Sequence, residues 1–185
     1  MEPVARVGVT VTFLRMDRPP ADAAPGLPPG QQVVRVGAPS VGFYRYLYNT
    51  VGADYVWWLR RTMSDDDLAA LLRDPLVSLH VLYAEGEPAG FFELDARSWT
   101  DVNLSYFGLI PHAVGTGVGY SLLRQAVDMV WRSGARGMTV NTCTADHPRA
   151  LPTYLRAGFR TLRQVRELWN VPLRLGMQIP ERLRD

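Results

Sequence analysis

Three glycines occupy alternate positions in the segment "GTGVG", namely Gly115, Gly117 and Gly119, between an apolar segment and a helical pattern. The first backbone N–H groups of a helix have no partner within the helix and lie at the positive end of its dipole. Glycine lets this backbone approach an oxyanion closely and adopt dihedral angles closed to other residues. The segment therefore predicts a phosphate-binding site or, alternatively, a turn that only lets the helix pack tightly on a strand.

The spacing of this glycine loop argues against two common nucleotide sites. The dinucleotide pattern G-x-G-x-x-G would need a glycine where Tyr120 stands, and the preceding strand does not begin a βαβ unit. A P-loop needs the sequence G-x-x-x-x-G-K-[ST], but all twenty basic residues are arginine. Neither Rossmann-type dinucleotide binding nor P-loop nucleotide hydrolysis is expected.

A strand before the loop and a helix after it must position the glycines. In that helix Val118, Leu122, Ala126 and Val130 share one apolar face, and Gly134 is predicted to end it. Patterns of apolar and β-branched residues predict strands over 7–16, 31–36, 78–84, 87–96, 101–110, 137–143 and 159–171.

Three more helices are predicted from local signals. Ser40 is placed to cap the segment 41–52. Ser64 and Asp67 resemble a capping box that opens a second helix. The segment 147–158 is predicted to be a short helix despite its proline. Together these elements predict one domain over residues 1–185, an α+β fold with a mixed sheet and helices on its faces.

Composition limits the classes of protein that fit. With 185 residues, of which 47% are hydrophobic, the chain can bury a core without disulfides or metals. The single cysteine, Cys143, cannot form an internal disulfide, and the three histidines lack metal-ligand spacing, so no metal is expected. No signal-peptide segment and no run of roughly twenty apolar residues is present. We therefore expect a cytoplasmic protein without a membrane partner.

Charge gives a weaker signal. The arginines are dispersed and no recognition motif accompanies them, which argues against nucleic acid as a partner. Residues 1–119 carry nine arginines and thirteen acidic residues, whereas residues 120–185 carry eleven and five. A basic rim for a phosphorylated ligand and an uneven solvated surface both explain this asymmetry.

Two sequence blocks resemble the GNAT superfamily of N-acyltransferases. The block "LIPHAVGTGVGYSLL" resembles its acyl-CoA-binding motif, usually Q/R-x-x-G-x-G/A after a strand that ends in an apolar-x-Pro segment, with Val114 in place of the usual Gln or Arg. The block "DHPRALPTYLRAGFR" resembles its later segment N-x-x-A-x-x-L-Y-x-x-x-G-F. The resemblance covers about 78–169, whereas 1–77 agree only in layout, as N-terminal strands and acceptor-side helices. In the second block Ala150, Tyr154, Gly158 and Phe159 match, His147 stands in the Asn position and Thr153 replaces Leu.

The resemblance implies a GNAT-like fold, in which a twisted mixed sheet has helices on both faces and the strands 101–110 and 137–143 splay apart. It also implies acetyl-CoA as co-substrate, with the pyrophosphate on the loop amides, the pantetheine arm along the first of these strands and the thioester in the gap. Arg124 or Arg149 would contact the adenosine phosphates or be an ordinary surface arginine. The implied CoA-binding residues are Leu109, Ile110, Val114, Gly115, Thr116, Gly117, Val118, Gly119, His147 and Arg149.

Acyl transfer to an amine needs a deprotonated amine, a polarised carbonyl and a protonated leaving thiolate. The resemblance implies Tyr154 as the general acid, with a tyrosine packed in the core as the alternative. It implies a strand amide at Leu109 or a neighbour as the oxyanion donor. Cys143 offers a nucleophile in principle, but an apolar-flanked cysteine on a strand is expected to belong to the core.

The general base is where the sequence departs from the commoner pattern of the family. Relatives often carry a glutamate on the fourth strand, whereas this strand offers Asn103 and Ser105, which would act through water. Glu93 on the neighbouring strand is an alternative base. His147 is a further candidate for the base, but it could equally serve as the N-cap of the following helix.

The segment 43–58 contains seven of the nineteen aromatic residues. In the family, the first helices and the loop between them line the acceptor pocket. Tyr44, Tyr48, Trp57 and Trp58 are therefore expected to stack on a substrate or to bind its cationic amine, unless they belong to the core.

Together these observations predict an N-acetyltransferase, a monomer or homodimer, that moves an acetyl group from acetyl-CoA to a primary amine of a small or amino-acid-like acceptor. The alternative is a CoA-binding sensor or interaction module that has kept the fold without turnover.

Overall fold

A computed structural model describes residues 2–98 and 100–185. Its strands form one seven-stranded sheet in the order β2-β3-β4-β5-β6-β1-β7, which confirms the predicted mixed sheet. The strands are β1 (Val4–Met16), β2 (Gln31–Val36), β3 (Val77–Ala84), β4 (Glu87–Asp95), β5 (Asp101–Leu109), β6 (Gly137–Cys143) and β7 (Arg160–Pro172). The helices are α1 (Val41–Gly52), α2 (Leu59–Thr62), α3 (Asp65–Arg73), α4 (Val118–Arg132) and α5 (Ala150–Arg156). None of the described helices is long and apolar enough to cross a bilayer.

The caps predicted for the early helices are confirmed. The Ser40 hydroxyl accepts a hydrogen bond from the Phe43 N–H (3.2 Å), and the Ser64 hydroxyl accepts one from the Asp67 N–H (3.1 Å). These caps satisfy backbone donors that a helix start leaves unpaired. One α-helix was missed: the four-residue helix α2 is too short to show a periodic pattern.

The sheet is covered on both faces. Phe91 and Phe92, adjacent on β4, belong to two different core clusters because successive side chains of a strand point to opposite faces. One cluster packs β3 and β4 against α1 and α3, and the other packs the sheet against α4 and α5. A third cluster lies around β1 and contains Val56, which comes from the loop between α1 and α2.

The position of β1 carries no signal in the sequence. This strand lies between β6 and β7 and is antiparallel to both, with Val11 opposite Cys143 on one side and Val165 on the other. The strand that follows it in the chain, β2, instead pairs with β3 at the far edge of the sheet. The two ends of the described chain are thus joined through the sheet.

The splay expected between β5 and β6 is confirmed, and a bulge accounts for it. Leu94 on β4 pairs with Leu104, but the preceding Glu93 pairs with Tyr106, so Ser105 is an extra residue in β5. A bulge bends a strand and increases its twist. Parallel pairing with β6 accordingly runs from Asp101 to Leu104, and the rest of β5 stays paired with β4 alone.

Candidate active site

A cavity of about 940 Å³ occupies the gap between the splayed strands. Its wall combines β5 and β6 with the glycine loop, the loop between α1 and α2, and α5. The single cavity therefore contains residues from both sequence blocks and from the aromatic segment 43–58. No group of three or more potential metal ligands occurs among the described residues.

The glycine loop leaves open space beside its backbone. Gly115 and Gly117 have φ angles of +88° and +89°, which side chains other than glycine rarely adopt. A Cβ atom built on either glycine would meet no atom within 4 Å. Gly117 directly precedes the first residue of α4. The open space thus lies at the positive end of a fifteen-residue helix.

Part of the predicted CoA set lines this cavity. The Val114 N–H donates to the Pro111 carbonyl (3.2 Å), and the Thr116 N–H donates to the Ala113 carbonyl (3.4 Å). Among the described hydrogen bonds of turns and loops, the N–H groups of Gly115 and Gly117 have no backbone acceptor. The cavity wall includes Leu109, Val114, Gly115, Gly117, Gly119, His147 and Arg149 but not Ile110, Thr116 or Val118.

Arg124 has a different position from either predicted one. Its side chain is 1% exposed, so it is not a surface arginine. It donates to the Asp22 carboxylate (3.0 Å), the Asp22 carbonyl (2.7 Å) and the Tyr120 hydroxyl (3.2 Å), which fastens the loop after β1 to α4. Near Tyr120 the cavity wall instead includes Arg156, whose guanidinium carbon lies 4.0 Å from the centroid of the Tyr120 ring. The sequence analysis missed this arginine.

Tyr154 lies on α5 and lines the cavity. Its ring packs edge-on against Phe107 and Phe159 at centroid distances of 6.1 and 5.9 Å. Burial, and then the charge of Asp146, raise the pKa of the phenol, so the hydroxyl keeps its proton. Tyr154 is 6% exposed and belongs to the core cluster under α4 and α5, as the core alternative expected. Among the described residues, however, none forms a hydrogen bond with its hydroxyl.

The two polar side chains of β5 are tied to each other and to β6. The Asn103 amide donates to the Ser105 hydroxyl (3.1 Å), and its carbonyl oxygen accepts from the Thr139 hydroxyl (3.1 Å). Both Asn103 and Ser105 line the cavity where the strands separate. They can hold a water molecule there, but neither is itself a strong base.

Glu93 is placed away from the cavity wall and is 1% exposed. Its carboxylate accepts from Arg60 (2.7 Å) and from the Tyr44 hydroxyl (2.5 Å). Arg60 Nε also donates to the Tyr44 hydroxyl (3.2 Å). The carboxylate is thus already engaged in a buried ion pair, an arrangement that fits a structural role better than proton transfer.

The predicted acceptor wall divides in two. Tyr44 is buried beside Glu93, and burial followed by that carboxylate raises its pKa, whereas Tyr48, Trp57 and Trp58 line the cavity. The ring centroids of Trp57 and Tyr106 lie 5.0 Å apart, and those of Tyr106 and Tyr48 lie 4.9 Å apart. Sequence reasoning missed Tyr55, Tyr106 and Trp169 as further aromatic lining residues.

His147 and Cys143 also line the cavity. The His147 Nδ1 accepts from the Arg149 N–H (3.1 Å), so the ring caps the turn just before α5 rather than the helix itself. Burial, followed by the charge of Asp146, raises the pKa of the Cys143 thiol to about 12, which keeps it protonated and weakly nucleophilic.

Asp146 is the acidic residue that the sequence analysis missed. One carboxylate oxygen accepts from the Thr142 hydroxyl (2.7 Å) and the Cys143 N–H (2.9 Å), and the other accepts from the Trp57 indole at 3.4 Å. It is the only acidic side chain among the described residues that line the cavity. An aspartate just after a strand is typical of a turn, and nothing in its local sequence marks it as part of a site.

Comparisons with solved structures show the same fold. A GCN5-related N-acetyltransferase from Kribbella flavida is 16% identical with a TM-score of 0.61, over 90% of this chain and 60% of that one. A tandem GNAT protein from the clavulanic acid biosynthesis pathway is 14% identical with a TM-score of 0.63, over 91% and 55%. An aminoglycoside acetyltransferase from an uncultured soil metagenomic sample is 14% identical with a TM-score of 0.57, over 70% and 88%.

The protein thus spans only 60% and 55% of the length of the first two of these structures. A comparison with curated proteins finds no significant match. The family model described as "Acetyltransferase (GNAT) family" matches residues 44–159, which is more than half of the chain and includes both the glycine loop and Tyr154. The chain therefore belongs to the GNAT family of acetyltransferases.

Proposed function

We propose that the protein is an acyl-CoA-dependent N-acyltransferase that moves an acetyl group from acetyl-CoA directly to a primary amine of a small or amino-acid-like acceptor. The observation that carries this proposal is the single cavity that joins the glycine loop, Tyr154 and an aromatic wall. Membership of the family supports acyl transfer in general, and the cavity residues support the finer assignment.

The glycine loop fits the pyrophosphate of CoA. The open space beside Gly115 and Gly117 can admit a phosphate, and the N–H groups at the start of α4 can donate to its oxygens. The stretch of β5 after Leu104 is free of β6 and can pair with the pantetheine arm, whose backbone-like amides suit a strand edge. This arm would bring the thioester to the gap beside Tyr154.

Tyr154 then acts as the general acid. The acceptor nitrogen forms its bond to the thioester carbon, the carbon–sulfur bond breaks, and the sulfur takes the electron pair. The Tyr154 hydroxyl gives its proton to that sulfur, the acceptor nitrogen releases a proton to water held at Asn103 and Ser105, and the Tyr154 phenolate regains a proton from solvent. The raised pKa of Tyr154 keeps this proton available throughout the neutral pH range.

The test is Tyr154→Phe. With the best amine found in a panel, kcat should fall about 10²-fold or more, while the Kd for acetyl-CoA measured by calorimetry changes little. Tyr46→Phe is a matched control, because Tyr46 is 49% exposed and outside the cavity wall. Equal kcat values for the unaltered protein and Tyr154→Phe would remove Tyr154 from the mechanism. Acetyl-CoA binding without thiol release for any amine would instead support the non-catalytic CoA-binding alternative.

A further inference from the structure

Asp146 places one negative charge in a cavity whose other described charged groups are basic. Arg60, Arg149, Arg156 and His147 also line it, and Arg60 is already paired with Glu93. None of these basic groups forms a salt bridge with Asp146 in the described structure. A carboxylate without a counter-ion in a partly apolar cavity is favourable only if water or a cationic ligand compensates its charge.

The hydrogen bonds of Asp146 leave one of its oxygens largely available. The Thr142 hydroxyl and the Cys143 N–H hold one oxygen at 2.7 and 2.9 Å and so fix the orientation of the carboxylate. The other oxygen receives only the Trp57 indole N–H at 3.4 Å, beyond the usual range for a strong bond. A carboxylate oxygen can accept two hydrogen bonds, so this oxygen retains capacity for a ligand donor.

The surroundings of this oxygen are aromatic. Trp57 and Tyr106, 5.0 Å apart, both line the cavity together with Tyr55. Tyr55 packs edge-on against His147, the residue after Asp146, at a centroid distance of 6.3 Å, and the Trp57 indole donates to Asp146 itself. Aromatic faces attract cations, most strongly where water is excluded.

The backbone beside this wall is strained. Val56 has a φ angle of +56°, which a β-branched residue rarely adopts, and its side chain is 2% exposed. It packs in the same buried cluster as Ala145, the residue before Asp146. Val56 and Ala145 precede Trp57 and Asp146 in the chain, so this cluster lies next to the contact between the indole and the carboxylate, and backbone strain of this kind is concentrated at functional sites.

From this combination we infer that Asp146 is the recognition group for a cationic acceptor, a primary ammonium on a compact, largely apolar body that rests against Trp57, Tyr55 and Tyr106. The assignment of this cavity as an acceptor site rests on the proposed acyl transfer. Binding of the ammonium, however, is a property of the cavity that needs no turnover. Neutral compounds of the same shape would lose the charge-assisted hydrogen bond to Asp146.

The test measures binding of butylammonium and of its neutral counterpart butanol to the CoA-loaded protein by calorimetry. We expect butylammonium to bind at least tenfold more tightly than butanol and Asp146→Asn to weaken butylammonium at least tenfold while leaving butanol unchanged. Asp54→Asn is the matched control, since Asp54 lies in the same loop as Trp57 but is exposed and outside the cavity wall. Equal butylammonium affinity in the unaltered and Asp146→Asn proteins would overturn the inference.

A second measurement guards against misfolding of Asp146→Asn, whose CoA affinity reports on its fold. In the unaltered protein, nuclear Overhauser effects should connect the α-methylene protons of butylammonium with the Trp57 indole, and a Trp57→Phe protein assigns those signals. Their absence at saturation would also overturn the inference. Ammonium selectivity without any acyl transfer would contradict only the proposed function, whereas acyl transfer that is unchanged in Asp146→Asn would contradict only this inference.

Discussion

At one end, the glycine loop, the cavity presents mainly backbone, and at the other end, around Arg60 and Trp57, it presents side chains. Gly115 and Gly117 contribute left-handed backbone, and a Cβ atom built on either would meet no atom within 4 Å. Arg60 lines the other end and joins Glu93 and Tyr44, behind the cavity wall, in a buried set of hydrogen bonds between α2, β4 and α1. A site made of backbone depends on a few local residues, whereas a site made of side chains depends on pairs that are distant in sequence. A mutation at one end should therefore change the property that depends on that end, stability or CoA affinity, and change the other property little.

The largest effect is expected from Arg60→Met. This change leaves the Glu93 carboxylate, 1% exposed, without its cationic partner, and breaking a buried ion pair from one side costs about 3–5 kcal/mol. The free energy of unfolding, measured with urea, should fall by that amount, while CoA-loop geometry stays intact. Arg97→Met is the control, because the exposed pair of Arg97 with Asp95 should contribute only about 0.2–1 kcal/mol. Equal losses in both variants would mean that the Arg60 pair is not buried.

Gly117→Asp should show the converse pattern. A carboxylate placed where the pyrophosphate is proposed to bind should raise the Kd for acetyl-CoA at least 100-fold, or about 2.7 kcal/mol. A side chain at a φ of +89° strains the backbone, but aspartate is among the residues that best tolerate left-handed backbone, so the fold should stay intact with a loss of stability similar to that of the control. Gly134→Asp is the matched control for Gly117→Asp, because Gly134 also has a positive φ angle, +82°, and open space around it, but lies at the other end of α4. An unchanged Kd in Gly117→Asp would assign the loop to helix packing alone.

The smallest effect is expected from Val114→Arg. Val114 is 38% exposed, lines the cavity and stands where the family motif usually has Gln or Arg. An exposed charge pair is worth about 0.2–1 kcal/mol, so acetyl-CoA should bind up to about fivefold more tightly, with the gain lost at high salt. Leu168→Arg, on an exposed position of β7, controls for the added charge. A gain that persists at high salt would indicate packing rather than charge.

The glycine loop before α4 and most of the fold could be predicted from the sequence because their signals are local, while phosphate binding by that loop stays a prediction. The caps at Ser40 and Ser64, the end of α4 near Gly134 and the hairpin at Glu85 and Gly86 each follow from residues within one turn. In that hairpin both residues have positive φ angles, as a two-residue connection between twisted strands requires. The bulge that opens the cavity gave no such signal.

Several side-chain roles could not be predicted because these residues acquire them from distant partners. Arg124 resembles a surface arginine in its helix, yet Asp22 makes it a buried anchor. Glu93 resembles an available base until Arg60 is placed beside it. Asp146 resembles a turn aspartate until Trp57 and the aromatic wall surround it. Each of these roles depends on tertiary contacts that no local pattern encodes.

The position of β1 has a consequence for how the chain folds during synthesis. The ribosome makes β1 before every other element of this sheet, yet β1 can pair only after β6 and β7 exist, with Val4 opposite Pro172. The antiparallel strands β3, β4 and β5 are neighbours in the chain and can associate long before that. Contacts between distant parts of a chain form slowly, and unpaired apolar strands are prone to aggregate. Insertion of β1 between its two partners is thus expected to limit the folding rate, and until then Val7, Val9 and Val11 are exposed to other nascent chains.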